Sequence, residues 1–255
     1  MEFTIEAYAD FLSLICETGY VISNYHNWRE EKRTIILRHD VDMNIEVACE
    51  MAMLEKSNNV QSTYFILVNT DMYNVFSAKS KKLMKKILEC QCEIGLHFDE
   101  KPYQSLNKIE IENAIRKEKE ILEKVIEEPV RCVSWHRPSQ MILEQGVQIE
   151  GLINSYDKEY FSSMKYVSDS RRNWREDVCD LVESETYARM HILTHPVWYS
   201  KNYEKGIKEA LVREMTRGVQ QHYKRLDENI RDFQDIISKN ELERMLKIWK
   251  DRWLD

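Results

Sequence analysis

Two acids, Asp40 and Asp42, stand two residues apart at the end of the apolar run Thr34-Ile35-Ile36-Leu37, directly after Arg38 and His39. On an extended backbone, residues two apart point to the same side. Two carboxylates aimed at one spot suit a metal ligand beside a general base. The same pair also suits a quieter role, holding Arg38 and a helix N-terminus. Partners are needed in either case, because an unpaired buried carboxylate is strongly destabilising. His97 and Asp99, His136 and Arg137, Asp169, and His195 also follow short apolar runs. A lone histidine at such a place is usually a hydrogen-bonded structural residue; five such strand ends in one chain point to a shared site.

The elements that must position these residues follow from the patterning. Besides 34–37, apolar runs at 63–68, 92–99, 130–135 and 190–194 read as buried strands, with shorter candidates at 151–154 and 165–170. Between them, residues 44–57, 81–90 and 107–127 carry apolar side chains at helical spacing. A further amphipathic helix over 5–20 precedes them and stops at Gly19. Alternating strands and helices imply βαβ units around a parallel sheet or barrel. In such folds the carboxyl ends of the strands converge on one face, where ligands bind. All the residues named above fall at those ends.

Composition narrows the function. The 255 residues are 43% hydrophobic and 32% charged with only 6 Gly and 4 Pro, which argues against disorder. A net charge of −7 argues against a nucleic-acid partner. Five lysines between Lys79 and Lys86 interleave with apolar residues and read as a solvated helix face. No run approaches the ~20 apolar residues of a membrane span. The acidic start Met1-Glu2-Phe3-Thr4-Ile5-Glu6 lacks the pattern of a signal peptide, and six cysteines form no Cys-x-x-Cys pair. The expectation is a cytoplasmic protein with reduced thiols.

Taken in order, the strand-end residues resemble the motifs of the polysaccharide deacetylase superfamily, carbohydrate esterase family four of the chitooligosaccharide-deacetylase type. The closer resemblance is to a bacterial branch in which His39-Asp40-Val41-Asp42 replaces the usual Phe-Asp-Asp. Glu93-Ile94-Gly95-Leu96-His97 matches the second motif, and His136-Arg137-Pro138-Ser139 loosely matches the third. Asp169-Ser170 with Trp174 corresponds to the fourth, with one residue extra, and Ile192-Leu193-Thr194-His195 to the fifth. The resemblance covers roughly residues 33–200. It implies an α/β fold, a distorted (β/α)7 barrel with an N-terminal helix and a C-terminal helical extension. It also implies hydrolysis of an N-acetyl group from a sugar with a divalent metal, zinc by preference. Asp40 is then the base, Asp42 and His97 metal ligands, and His195 the acid oriented by Asp169. Arg137 is expected to pair with Asp40.

The departures are specific. The family's second motif has a further histidine four residues on, where this chain has Lys101. The third ligand is therefore sought at His136 or Asp99, and His136 is preferred because imidazole suits zinc. A missing ligand also leaves room for a catalytically inactive binding or assembly module on the same fold. A metal-dependent phosphohydrolase built on His39-Asp40 is a further alternative, but that site needs a helix where this pattern gives a strand. Trp135, Trp174, Trp198 and Tyr199 are candidates for stacking on sugar rings. The expected substrate is a small cytoplasmic N-acetylated amino sugar or glycan precursor, since a cytoplasmic enzyme does not reach an assembled wall.

Two domains are expected, 1–202 as the barrel with its N-terminal helix and 203–255 as a helical extension. In the second, Ile207, Leu211, Met215, Val219 and Tyr223 recur every four residues, predicting one long helix or a pair broken near Gly218, and then a helix from 241 to 254. Packing on the barrel is the default expectation, and Trp249, Trp253 and Leu254 on the last helix suggest a homo-oligomer contact as the alternative.

Overall fold

The computed structural model describes residues 1–103, 107–145 and 148–254. The chain forms two compact units, Met1–Lys201 and Asn202–Asp255. The first is built on strand β2 (Thr34–Val41), whose eight residues are all buried. Parallel ladders join β2 to β3 (Thr63–Leu67) on one side and to β8 (Arg189–Thr194) on the other. The sheet continues outward through β4 (Glu93–Asp99), β5 (Cys132–His136) and β6 (Ile153–Asn154) beyond β3, and through β7 (Lys165–Ser168) beyond β8. Its order is thus β6-β5-β4-β3-β2-β8-β7, seven parallel strands curled into an incomplete barrel, the expected distorted (β/α)7 form. Among the described residues no ladder joins β6 to β7. A three-residue strand, β1 (Val21–Ser23), pairs with the start of β2; sequence patterning reads this segment as a connector.

Helices cover the outside. They are α1 (Ile5–Glu17), α2 (Ile45–Ser57), α3 (Ala78–Glu89), α4 (Lys108–Ile126), α5 (Gln140–Gln145), α6 (Lys158–Ser162) and α7 (Val178–Glu183). Their starts are chemically marked. Asn44 caps α2 by accepting from the Val47 N–H, and Asn107 and Glu110 form a reciprocal capping box on α4. The period of two on β2 then separates two environments. Ile36 lies in a core cluster with Tyr25, Phe65 and Tyr160, and Arg38 and Asp40 follow it on the same side of the strand. Ile35 and Leu37 take the other side with no exposed surface, each burial contributing about 1.5–3 kcal/mol. Gly95 on β4 is required by this packing, because a Cβ there would stand 2.5 Å from a Phe65 ring carbon.

The second unit comprises α8 (Ile207–Asn229), α9 (Phe233–Ile236) and α10 (Lys239–Leu254). Helix α8 runs through Gly218 without a break. Tyr223 closes it onto α9, with its ring 5.2 Å from that of Phe233 and its hydroxyl donating to the Ile237 carbonyl. Ile207, Leu211, Met215 and Val219 on α8 are all exposed. Among the described residues, no helix is long and apolar enough to cross a membrane.

Candidate functional site

The site lies at the carboxyl ends of the strands, and each of its side chains is there because of strand register. β2 delivers Asp40 and, one bend later, Asp42; β4 delivers His97 and β5 His136. His97 is aligned with Leu67 of β3 and Ser134 of β5. The loop bearing Asp42 is pinned by Tyr73, whose hydroxyl donates to the Val41 carbonyl at 2.7 Å and accepts from the Leu67 N–H at 2.9 Å.

These placements bring Asp42, His97 and His136 together, with one ligand-type atom of each within 4.8 Å of the others. His97 Nε2 and His136 Nδ1 both stand 3.2 Å from Asp42 Oδ1. That oxygen is buried and makes no hydrogen bond, and His97 Nδ1 is likewise buried without a partner. A buried carboxylate oxygen facing two imidazole nitrogens without hydrogen bonding is the donor set a divalent cation requires. The residues present therefore fit a metal. Burial opposes the charge on Asp42, but His136 and His97, with His195 adding, more than offset it and hold the carboxyl well below its usual range. His97 is buried, whereas His136 is partly open to solvent.

Asp40 lies beside this cluster, with one oxygen 3.8 Å from His97 Nε2. Its cationic partner is Arg38, not Arg137. Arg38 is buried, its Nη2 lies 3.3 Å from Asp40, and its Nη1 donates to Ser155 Oγ. The guanidinium also lies 5.0 Å from the Tyr156 ring centroid. Ser134 Oγ stands 3.4 Å from both Asp40 oxygens. Arg137 instead adopts a left-handed backbone conformation (φ 57°) directly after β5 and pairs with Asp99 at the surface. The physical reason is positional. Arg38 shares a strand face with Asp40, while the turn at Arg137 carries its side chain to the end of β4. Asp99 is thereby engaged by Arg137 and by the Lys101 N–H, and stands apart from the three converging ligands.

On the other side of β2, the Asp169 carboxylate grips His195 twice, accepting from its backbone N–H at 3.0 Å and contacting Nδ1 at 2.5 Å. Burial lowers the His195 pKa, but Asp169, with Asp42 and Asp40 adding, raises it to about 9. At neutral pH this imidazole carries a proton. The candidate stacking aromatics are largely packed away: Trp135, Trp198 and Tyr199 are buried, and Trp174 lies against Phe3.

His39, between Arg38 and Asp40, points to the opposite side. Its Nδ1 meets Thr194 Oγ1 and its Nε2 meets Glu55 at 2.7 Å. Glu55 on α2 also accepts from Tyr8, Ser62 and Tyr64. A His-Asp metal dipeptide on a helix is therefore not what this chain contains. Sequence patterning did not single out Ser134, Ser155, Tyr73 or Glu55; of these only Glu55 carried a signal, an acid at an inward helical position.

No family model matches the sequence, and neither does any curated protein. Solved structures with a similar trace include a pseudoenzyme of the CE4 family from Bacillus anthracis, at 18% identity and a TM-score of 0.42 over 75% of this chain and 62% of that one. The chain thus spans less than two thirds of that relative. A family 4 carbohydrate esterase from Streptomyces lividans in complex with acetate is similar at 12% identity and a TM-score of 0.46, over 64% of this chain and 79% of that one. A peptidoglycan N-acetylglucosamine deacetylase is similar at 18% identity and a TM-score of 0.44, over 81% of this chain and 91% of that one.

Proposed function

We propose that the chain is a metal-dependent amide hydrolase that removes an N-acetyl group from a small amino sugar or glycan precursor. The observation that carries this reading is the convergence of His97 Nε2 and His136 Nδ1 on the buried Asp42 Oδ1, each at 3.2 Å. Asp42, His97 and His136 would hold a divalent ion, zinc by the softness of two imidazoles. When bound, such an ion supplies Lewis acidity, polarising an amide carbonyl and making water more acidic.

The chain's own residues supply the proton transfers. Asp40, neighboured by Arg38 and Ser134, takes a proton from the water that adds to the amide carbon. His195, protonated at neutral pH and held by Asp169, gives its proton to the leaving amine as the C–N bond breaks. The products are acetate and a free amino sugar, and the proton held by Asp40 returns to His195 through solvent. The buried positions of Trp135, Trp198 and Tyr199 support a small ligand, since a polymer groove needs exposed aromatics in a row.

The test is acetate release by zinc-loaded protein from short N-acetylated sugars, nucleotide sugars and insoluble chitin or peptidoglycan. Release from the small substrates is expected. Preference for the polymers would overturn the substrate size. The replacement of the family's second histidine by Lys101 motivates a second reading, an inactive module on the same fold. Absence of a stoichiometric transition metal in protein purified without chelator, with no acetate released, would select it.

A further inference from the structure

The opposite end of the barrel holds a second convergence of ligand types. Glu93 opens β4, Cys132 opens β5, and His26 lies in the loop after β1. His26 Nε2 stands 3.0 Å from Glu93 Oε1, Cys132 Sγ stands 3.5 Å from the same oxygen, and Sγ and Nε2 are 3.9 Å apart. The loop is fixed: Asn24 and Asn27 exchange backbone contacts through their side chains, and Trp28 is buried next to them.

Two readings compete for such a trio. A nucleophilic relay needs the imidazole to use one nitrogen on the thiol and the other on the carboxylate. Here a single atom, Nε2, faces both, so no relay can form through the ring. Three atoms closing one small triangle is instead the arrangement of ligands around a single ion. Bond lengths of about 2.0–2.3 Å in a tetrahedral zinc site put neighbouring donors roughly 3.3–3.7 Å apart, and the three separations bracket that range.

Charge favours the same reading. A thiolate and a carboxylate together balance a divalent cation, with imidazole as the neutral third ligand. Glu93 Oε2 is steadied by the Thr63 hydroxyl at 3.2 Å, a supporting contact of the kind that orients ligands. A groove of about 320 Å³ lined by Asn24, His26, Glu93 and Arg131 opens beside the trio, giving an ion a way in and room for a fourth, solvent ligand.

We infer that His26, Glu93 and Cys132 form a second metal site at the amino-terminal end of the barrel, selective for a zinc-class ion. It ties the β1 loop to β4 and β5, and it is independent of the reading of the Asp42 end. Binding displaces the thiol proton, so one proton leaves as the S–metal bond forms.

Titration of the full chain with Co2+ separates the two sites, because only a thiolate ligand gives a sulfur-to-cobalt charge-transfer band in the near ultraviolet. The wild type is expected to develop this band with an amplitude of one thiolate bond per chain. Cys132→Ser and His26→Ala should each lose it; His26 is half-exposed, so its variant keeps the fold if the buried cysteine variant does not. Asp42→Ala should keep the band. A wild type that binds Co2+ without the band, or a band that survives both His26→Ala and Cys132→Ser, overturns the assignment.

Discussion

Glu55, fully buried, and Asp42, partly exposed but with Oδ1 buried, are both carboxylates within reach of histidines, and they differ in how their oxygens are used. Glu55 accepts from Tyr8, His39, Ser62 and Tyr64, with the Cys92 thiol nearby, so neither oxygen is short of donors. Asp42 leaves one oxygen without a hydrogen bond while two imidazole nitrogens converge on it. The first arrangement is complete in itself and rigidifies α2 against the sheet. The second sets three ligand-type atoms within 4.8 Å of one another, the donor set that fits a divalent cation. Burial of an acid alone therefore does not single out a candidate site; convergence of other ligand types on one of its oxygens does.

The largest expected effect tests that contrast directly. Asp42→Ala and His97→Ala should each abolish stoichiometric zinc binding at this end, read by elemental analysis of protein carrying His26→Ala to remove the second site. Glu55→Gln should leave that zinc in place. Equal zinc content in Asp42→Ala and the parent would remove the distinction between the two acids.

Next in size, Asp40→Asn should keep zinc and fold yet lose ~100-fold or more in turnover, the usual scale for a general base. Near-normal turnover would sink Asp40 as the base.

Glu55→Ala carries the complementary cost. Removing one member of a buried ionic network costs about 3–5 kcal/mol, measured by urea unfolding. The pH dependence sharpens it. Burial opposes the Glu55 charge, but His39, Ser62 and Tyr8 more than offset that and depress its pKa below the ordinary 4.5. The unfolded chain therefore binds the proton more readily. Stability from this group is full above about pH 4.5 and falls as pH drops through the folded-state value. Glu55→Gln should flatten that acid limb, and an unchanged limb would assign it elsewhere.

A smaller effect concerns His195. In metal-free protein its imidazole should stay protonated until about pH 9, followed by NMR titration, and Asp169→Asn should lower that midpoint. The smallest belongs to Arg137. Its guanidinium is half-exposed although Asp99 is buried, so Arg137→Ala should cost about 1 kcal/mol for the carboxylate left short of a partner and leave turnover near normal. A large loss of turnover would restore Arg137 to the site.

Much of this was legible in the sequence. Strand-end acids and histidines stand out because apolar runs stop abruptly at them, and strand order then does the rest. Arg38 was harder. It lies inside the run, and choosing between it and Arg137 requires knowing that Arg137 takes a left-handed turn. Glu55 stands at an inward helical position, but its partners show only when Tyr8, from another helix, is placed over it. Glu93 and Cys132 sit at the starts of strands and His26 in a loop, where no pattern in the chain announces a contact, and β1 is too short to show a period.

The central position of β2 has a kinetic consequence. The strands carrying Asp42, His97 and His136 are laid down in chain order, β2 to β5, each beside its predecessor. The acid pair arrives differently: β8 must return to β2, and the contact between His39 and Thr194 spans 155 residues. Closing so long a loop is slow compared with pairing successive strands. A chain emerging from the ribosome can thus bring Asp42, His97 and His136 together well before His195 and Asp169 exist beside them. On the proposed function, cation capture would precede catalytic competence, and a chain interrupted before β8 would lack the His195 acid that protonates the leaving amine.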